Sequence, residues 1–367
     1  MKILYVSTIS NTINAFMIPH IEMLVNQGNN VEIACKVQKD ISQELMNLNC
    51  FVHNISFNRN PLSISNLKAY KELKILLKKN KYDLVHTHTP VASVIVRLCC
   101  IGNDKLKVFY TAHGFHFHNK SSILSWLIYY PIEKWLSKYT DTLITINNED
   151  YNRALNKFKS KRIKYIPGVG FDVSKFKDLT VDIKTKRQEL EIPFDSFVIL
   201  SVGELSKRKN HKVILKAIAK LKNDKIHYII CGNGPLMDKY KHLIKKLGIE
   251  KNVHLLGFRK DIAEICKASD LFAFPSLVEG LGIAALEAMA CGLPIITSNI
   301  HGIIDYSINE KSGFTCNPKS VNDFQRSIQN IYENSDLRNR MKEFNLISVQ
   351  KFDIVNSLIS LNNIYNS

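Results

Sequence analysis

The sequence predicts an α/β fold of two doubly wound domains facing each other across a cleft, and three observations predict it. Short β-rich runs alternate with helical patterns along the whole chain, as in parallel sheets covered by helices on both faces. The runs are almost wholly apolar, as strands buried on two sides must be. Between the two halves lies a polar, charged stretch without strand signal, GVGFDVSKFKDLTVDIKTKRQELEIP. At 367 residues and 45% hydrophobic content, the chain can fill two cores.

In order, the first half supplies KILYVS, VEIAC, DLVHTH, KVFYTAH, TLITI and IKYIP as strands. The second supplies FVILSVG, HYIICG, VHLLGF, LFAFP and PIITS. These give a first domain over residues 1–168, a linker over 169–193, a second domain over 194–345 and a C-terminal helix over 346–367. Ahead of PIITS, the run LEAMA favours helix; Gly292 supplies its left-handed stop, and Pro294 stands where the helix cannot continue. Ligands of open parallel sheets gather outside the carboxyl ends of the strands, which places the chemistry at the turns after these runs.

Composition narrows the class. No run of eighteen apolar residues is present, so no spanning helix is expected, and Lys2-ILYV reads as a first strand rather than a leader. Eight scattered cysteines without a C-x-x-C pair read as buried thiols in a reducing cytoplasm. The net charge of +17 suits an anionic partner: nucleic acid, an acidic membrane or a phosphorylated substrate. No helix-turn-helix, RNA-recognition or zinc-finger pattern accompanies it, so nucleic acid is not the expected partner.

Residues 275–298, PSLVEGLGIAALEAMACGLPIITS, carry two carboxylates, Glu279 and Glu287, among three glycines, Gly280, Gly282 and Gly292. Gly280 and Gly282, directly ahead of a helix, cost backbone entropy unless something approaches the main chain closely, and a helix N-terminus is a ready anion site. On one helix the two glutamates would stand roughly 12 Å apart, beyond the roughly 5 to 9.5 Å of a glycosidase pair. A hydrolytic acid–base pair is therefore disfavoured. A long ligand with hydroxyls at both ends and a phosphate between them, such as a nucleotide-sugar, suits the spacing.

This segment resembles the signature of the retaining glycosyltransferases of family 4, which have the GT-B fold of two Rossmann-like domains. Its E-x7-E spacing, glycine turn and ALEAMACGLP helix carry the resemblance, which extends to SVGELSKRKNH (201–211), CGNGP (231–235), LGFRKDI (256–262), DLVHTHTP (83–90) and YTAHGFHF (110–117). Position by position, the resemblance implies that Glu279 binds hydroxyls of the donor sugar and that amides around Gly280, Leu281 and Gly282 hold the distal phosphate. It implies that Glu287 accepts from the ribose, that Lys209 neutralises the departing diphosphate, and that Gly203 lets the backbone approach the phosphates. Gly257 and Arg259, in the loop GFRKDI, fall with the donor-binding residues near the base. His113 is set beside the reacting carbon; without the motif it would read as a half-buried strand-end histidine. The resemblance also implies that the C-terminal helix crosses back to the first domain, which presents the acceptor.

Two departures matter. Where the family has an arginine beside the phosphates, this chain has Glu204, expected to turn away or pair with a cation. Lys207 or Arg208 then supplies the second positive charge, and Arg208 is favoured because a guanidinium clamps two phosphate oxygens. The first loop, STISNTINAF, lacks glycines, so Ser, Thr and Asn side chains are left to meet an acceptor. His86 with His88, and His116 with His118, have H-x-H spacing that can bind metal. With no H-E-x-x-H, and with helix ends and lysines to supply positive charge, no metal and no cofactor beyond the donor are expected.

Two segments suit a membrane surface. Residues 57–82 hold seven Lys/Arg against one Glu, with Leu67, Tyr70, Leu73, Leu76 and Leu77 on one helical face. SILSWLIYYPIEKWLSK (122–138) contains both tryptophans and flanking lysines, the composition of an interfacial helix. Both helices are expected to pack by their apolar face and rest a basic rim on anionic lipid. The whole reading is a metal-independent, cytoplasmic, membrane-peripheral transferase. It moves a sugar from a nucleoside-diphosphate sugar, UDP ahead of GDP, to a saccharide or undecaprenyl-diphosphate-linked acceptor of a surface polymer. A nucleotide-sugar epimerase of the same architecture and a non-catalytic carbohydrate-binding protein are the alternatives.

Overall fold

The computed structural model describes residues 1–119 and 121–367. Seven parallel strands form the first sheet: β1 (Lys2–Ile9), β2 (Asn30–Lys36), β3 (Val52–Asn54), β4 (Leu84–His88), β5 (Lys107–Ala112), β6 (Thr142–Thr145) and β7 (Arg162–Tyr165), in the order β3-β2-β1-β4-β5-β6-β7. Six form the second: β8 (Phe197–Val202), β9 (Ile226–Cys231), β10 (Val253–Gly257), β11 (Leu271–Phe274), β12 (Ile295–Ser298) and β13 (Gly313–Cys316), in the order β10-β9-β8-β11-β12-β13. In each sheet the order reverses beside the first strand, between β1 and β4 and between β8 and β11, and such a reversal is where open sheets bind ligands.

The predicted strands are all present, and two more flank them. β3 and β13 are edge strands of three and four residues, VHN and GFTC, without a continuous apolar run. β13 depends on Gly313: at φ +150 a Cβ there would lie 1.7 Å from the Ile295 carbonyl oxygen.

Helices bury the sheets. In the second unit Val213, Ile214, Ala217 and Ile218 of the helix His211–Leu221 pack with Phe324, Ile328 and Ile331 of the helix Val321–Glu333 over Ile199, Tyr228 and Ala273. In the first, Ala69 and Leu73 of the helix Ser65–Lys79 and Ala92 and Val96 of the helix Pro90–Cys100 cover Leu4, Val6 and Val85. Arg97 of the latter helix is buried and ion-paired to Glu133 at 2.8 Å, above the Tyr110 ring at 4.5 Å. All eight cysteines are free thiols.

The chain divides into two compact units, Met1–Gly170 with Ile354–Ser367, and Phe171–Asp353. The expected linker, 169–193, differs from this: it holds the helices Ser174–Lys177 and Ile183–Glu189 and falls almost wholly in the second unit. Two of its charges, Lys186 and Arg187, are buried and paired, while the others remain exposed. Arg187 donates to the carbonyls of Ala268, Phe194 and Ser196 and to Asp270, and Lys186 meets Glu189, Asp261 and Glu264. The return to the first unit begins at Ile354 rather than Leu346, because the helix Ser335–Ser348 and the turn Val349–Phe352 stay with the second.

Neither surface helix matches its expected orientation in full. Leu67 of the helix Ser65–Lys79 is exposed while Tyr70, Leu76 and Leu77 pack inward. The helix Ile123–Leu136 turns Ile123, Leu124, Leu127, Ile128, Ile132 and Trp135 outward and buries Glu133 and Leu136. The inward face could accept a glutamate because Arg97 is there to pair it, and Trp126 and Tyr130 pack against Phe117. Its exposed side is thus an apolar row, with Lys134 and Lys138 exposed beside it. No helix among the described residues is long and apolar enough to cross a membrane.

Candidate functional site

In the second unit the turns after β8, β9 and β11 meet at the reversal of strand order, and glycines make the meeting possible. A Cβ at Gly232 would lie 2.0 Å from the Gly203 carbonyl oxygen, and one at Gly234 would lie 2.6 Å from Leu205 backbone. In place of side chains, backbone bonds join these turns: Gly203 N–H to Cys231 O at 2.9 Å, Leu205 N–H to Asn233 O at 3.0 Å, Gly232 N–H to Gly257 O at 2.7 Å. The open side of Gly203 is taken by the Lys209 stem, whose Cε would sit 3.1 Å from an added Cβ.

That stem carries the Lys209 ammonium across the Phe274 ring, 4.4 Å from its centroid, to Glu279 Oε2 at 2.7 Å. Arg208 Nη1 reaches the same oxygen at 3.0 Å and the Val278 carbonyl at 3.2 Å. Ser276 Oγ stands 3.4 Å from Glu279 Oε2. Lys209 is buried, and burial lowers its pKa against the opposing pull of Glu279. Arg208 is half exposed. Glu204 is exposed, and its charge acts on Lys209 in the same upward direction as Glu279.

Glu279 leads into Gly280, Leu281 and Gly282, and Gly282 at φ +91 starts the helix Ile283–Ala290. A Cβ on Gly282 would fall 2.4 Å from Phe274, so only glycine lets the turn close over that ring. No side chain caps this helix start. Glu287, about one turn along, is partly buried, and burial pushes its pKa up to about 7, with Lys175 pulling the other way. The helix ends on Gly292 at φ +83, as its sequence predicts. The structure brings Lys209, Arg208, Glu279 and Gly282 together. Arg259 is engaged elsewhere: its guanidinium meets Asp261 at 2.8 and 2.6 Å and Glu189 at 2.6 Å. Gly257, at φ +67, faces Asn233 Oδ1.

Three residues that sequence reasoning missed hold this site. Asn210, left-handed at φ +55, donates to the carbonyls of Pro275 and Pro318; Ser276 touches Glu279; and His301 Nδ1 lies 2.9 Å from the Glu279 carbonyl. Only Asn210, directly after the basic run, had a local signal, since asparagine tolerates the left-handed region.

The equivalent place in the first unit is built from side chains. Thr89, left-handed at φ +67, is held by Thr8, whose N–H and Oγ1 lie 3.1 and 2.7 Å from Thr89 Oγ1. Ser10 Oγ accepts from the N–H groups of Gln38 and Lys39 and donates to Lys39 O, and Asn14 ties Asp40 and Ser42. These polar side chains hold the loop. The buried atoms Ser7 Oγ, Asn11 Oδ1 and Tyr5 OH have no partner among the described residues.

Below them lies a cluster of imidazoles. Register pairs Tyr5 with His86 and His88 with Thr111, which puts all four on one sheet face with His113 beyond β5. His86 Nδ1 meets Tyr365 OH at 2.6 Å and its Nε2 meets Thr111 Oγ1 at 2.8 Å. His88 Nδ1 lies 3.1 Å from His113 Nε2, and His20 Nε2 lies 2.9 Å from the Val169 carbonyl. Burial pushes His20 and His113 down to about 4 and His86 and His88 well below the usual range, so the cluster is neutral. His116 stacks on Tyr129. Among the described residues no three His, Cys, Asp or Glu side chains are grouped to hold a metal ion.

Residues 182–345 match the family described as Glycosyl transferases group 1, and residues 2–147 match Glycosyl transferase 4-like. EpsD of Bacillus subtilis (strain 168), which carries a glycosyltransferase name, is 31% identical over 100% of this chain and 96% of its own. The UDP-Gal:alpha-D-GlcNAc-diphosphoundecaprenol alpha-1,3-galactosyltransferase of Escherichia coli is 30% identical over 94% of this chain and 90% of its own. Among solved structures, Anabaena Alr3699/HepE in complex with UDP and glucose superposes with a TM-score of 0.81 at 21% identity, covering 100% of this chain and 99% of that one. Two parallel Rossmann-like units and this likeness define the GT-B fold. The chain belongs to the group 1, family 4-like glycosyltransferases and is a sugar-transferring enzyme.

Proposed function

We propose that the chain transfers a sugar from a UDP-sugar, with retention of configuration, to a lipid-linked saccharide at an anionic membrane surface. The observation that carries this is the meeting of Lys209 and Arg208 on a single oxygen of Glu279, at the reversal of strand order and directly ahead of the helix start at Gly282. Without donor, the carboxylate holds two cations in place. With donor, the diphosphate takes over Lys209 and Arg208, the amides around Gly280, Leu281 and Gly282 take the distal phosphate, and Glu279 accepts from the sugar hydroxyls. Glu287 accepts from the ribose, and Gly203 and Gly257 lie in the turns around the nucleotide. Arg259 acts indirectly, by holding the loop after β10 through Asp261 and Glu189.

Catalysis in this reading is electrostatic. Lys209 and Arg208 stabilise the charge that develops on the leaving diphosphate, in a site ordered before the reaction starts. A leaving phosphate oxygen takes the acceptor proton, and His113 meets the donor sugar near its reacting carbon. UDP is favoured over GDP because a relative at 30% identity is named for a UDP-sugar. The same name supports a diphosphoundecaprenol-linked acceptor. Thermal-shift titration with UDP, GDP and their sugars, followed by transfer assays on lipid-linked saccharides, tests both choices; stabilisation by GDP alone would replace the donor.

The membrane part rests on the outward row Ile123, Leu124, Leu127, Ile128, Ile132 and Trp135 together with the net charge of +17. An apolar face inserts at the headgroup boundary while surrounding lysines meet anionic lipid. Vesicles rich in phosphatidylglycerol are expected to float the protein at low salt, and the double variant I123S/L127S to stay at the bottom. Equal flotation of both would move the contact elsewhere on the surface.

A further inference from the structure

We propose that His88 is a positioning residue that decides which nitrogen of His113 carries the proton, and so makes His113 a hydrogen-bond donor to the transferred sugar. This rests on the reading that His113 meets the donor sugar. The two rings approach through one pair of nitrogens, His88 Nδ1 and His113 Nε2, at 3.1 Å. His88 is buried, His113 is partly buried, and both are neutral; between two neutral imidazoles one proton lies on that line. Either His88 donates from Nδ1, or His113 donates from Nε2.

The other nitrogen of His88 decides between them. His88 Nε2 is buried and has no partner among the described residues. Were His113 the donor, His88 would carry its own proton on Nε2 and bury an orphaned N–H, which folded proteins rarely leave. With His88 donating from Nδ1, that nitrogen is a bare lone pair, the smaller penalty. His113 then accepts at Nε2 and keeps its proton on Nδ1, because the partner of one ring nitrogen sets the state of the other.

The His88 ring is held against turning away. It stacks on Tyr5 with centroids 4.7 Å apart and lies 4.3 Å from His86. His86 is in turn bound at both nitrogens, by Tyr365 and Thr111. Donor character at Nδ1 suits an oxygen of the sugar as acceptor; the opposite tautomer would present a lone pair there. The parallel register of β4 and β5, with His88 beside Thr111, is what sets the two rings at this spacing.

Two measurements on the full chain test the proposal. Long-range 1H–15N spectra of histidine-labelled protein, with His113 assigned by its loss in H113A, are expected to show His113 protonated at Nδ1; protonation at Nε2 overturns the proposal. In transfer assays H88L is expected to lose about 10- to 100-fold in kcat. H88N, whose amide N–H stands where Nδ1–H stood, is expected to stay within about threefold of wild type. Equal kcat for H88L and wild type, or an equal loss in H88N and H88L, overturns it, since packing alone would not distinguish the two. Full activity in H113A would instead sink the His113 reading and leave the tautomer assignment standing.

Discussion

The two sheets share a strand order, yet their carboxyl ends are built in opposite ways. At the end of β8 and β11 glycines bring backbones into contact, and a carboxylate is charged against Lys209 and Arg208. At the end of β1 and β4 there is no glycine: Thr8, Ser10, Asn14 and Thr89 tie the loops by side-chain bonds, above four neutral histidines. The same architecture thus offers one end suited to a multiply charged ligand and another suited to hydroxyls. A diphosphate needs close main-chain amides and cations, whereas a saccharide needs neutral donors and acceptors.

The largest expected effect tests the charged end. E279A and K209A should each lower kcat by about 10²- to 10³-fold while circular dichroism stays native; full activity in either would end the distinction. Next comes the glycine framework. G232A, whose Cβ would meet the Gly203 carbonyl at 2.0 Å, should cost about 1–3 kcal/mol in chemical denaturation. S10A, which removes only side-chain bonds to Lys39 and Gln38, should cost about 1 kcal/mol. Equal losses would mean that the two turns are held alike.

pH sharpens the contrast further. Glu287 is raised from 4.5 to about 7 by burial. Between those values the unfolded chain loses its proton before the folded one, so this residue lowers stability as pH rises from about 4.5 to about 7, and the loss is constant above. E287Q should therefore melt higher than wild type above pH 7 and show no such gain below pH 4.5. If ribose hydroxyls bind the ionised form, UDP affinity measured by calorimetry should fall as pH drops through 7 in wild type and stay flat in E287Q. The neutral histidine end, with His113 and His20 at about 4, should add no pH dependence to acceptor KM between pH 6 and 8.

Much of this was legible in sequence, and the reasons are local. Apolar runs announced the buried strands, Gly292 and Pro294 announced the end of a helix, and the glycine turn ahead of Ile283 announced a close approach. The edge strands β3 and β13 were not legible, because VHN and GFTC mix polar residues or glycine with apolar ones and make no apolar run. The stretch 169–193 read as a linker because Lys186 and Arg187 look like surface charges until Asp261, Glu264 and Asp270 are known to face them. The ion pairs of Arg259 with Asp261 and Glu189 were likewise not legible from its neighbours in the chain.

Sequence alone determined the strand–helix alternation, the positions of the turns and the residue types that line them, since these follow from neighbours along the chain. Only the tertiary structure decided that Lys209 and Arg208 share one oxygen of Glu279 some 70 residues away, that His88 faces His113, and that the helix Ile123–Leu136 buries Glu133 and shows its apolar face. Each of these depends on parallel register and crossover packing between distant segments, and no local pattern encodes which side chain will arrive opposite another.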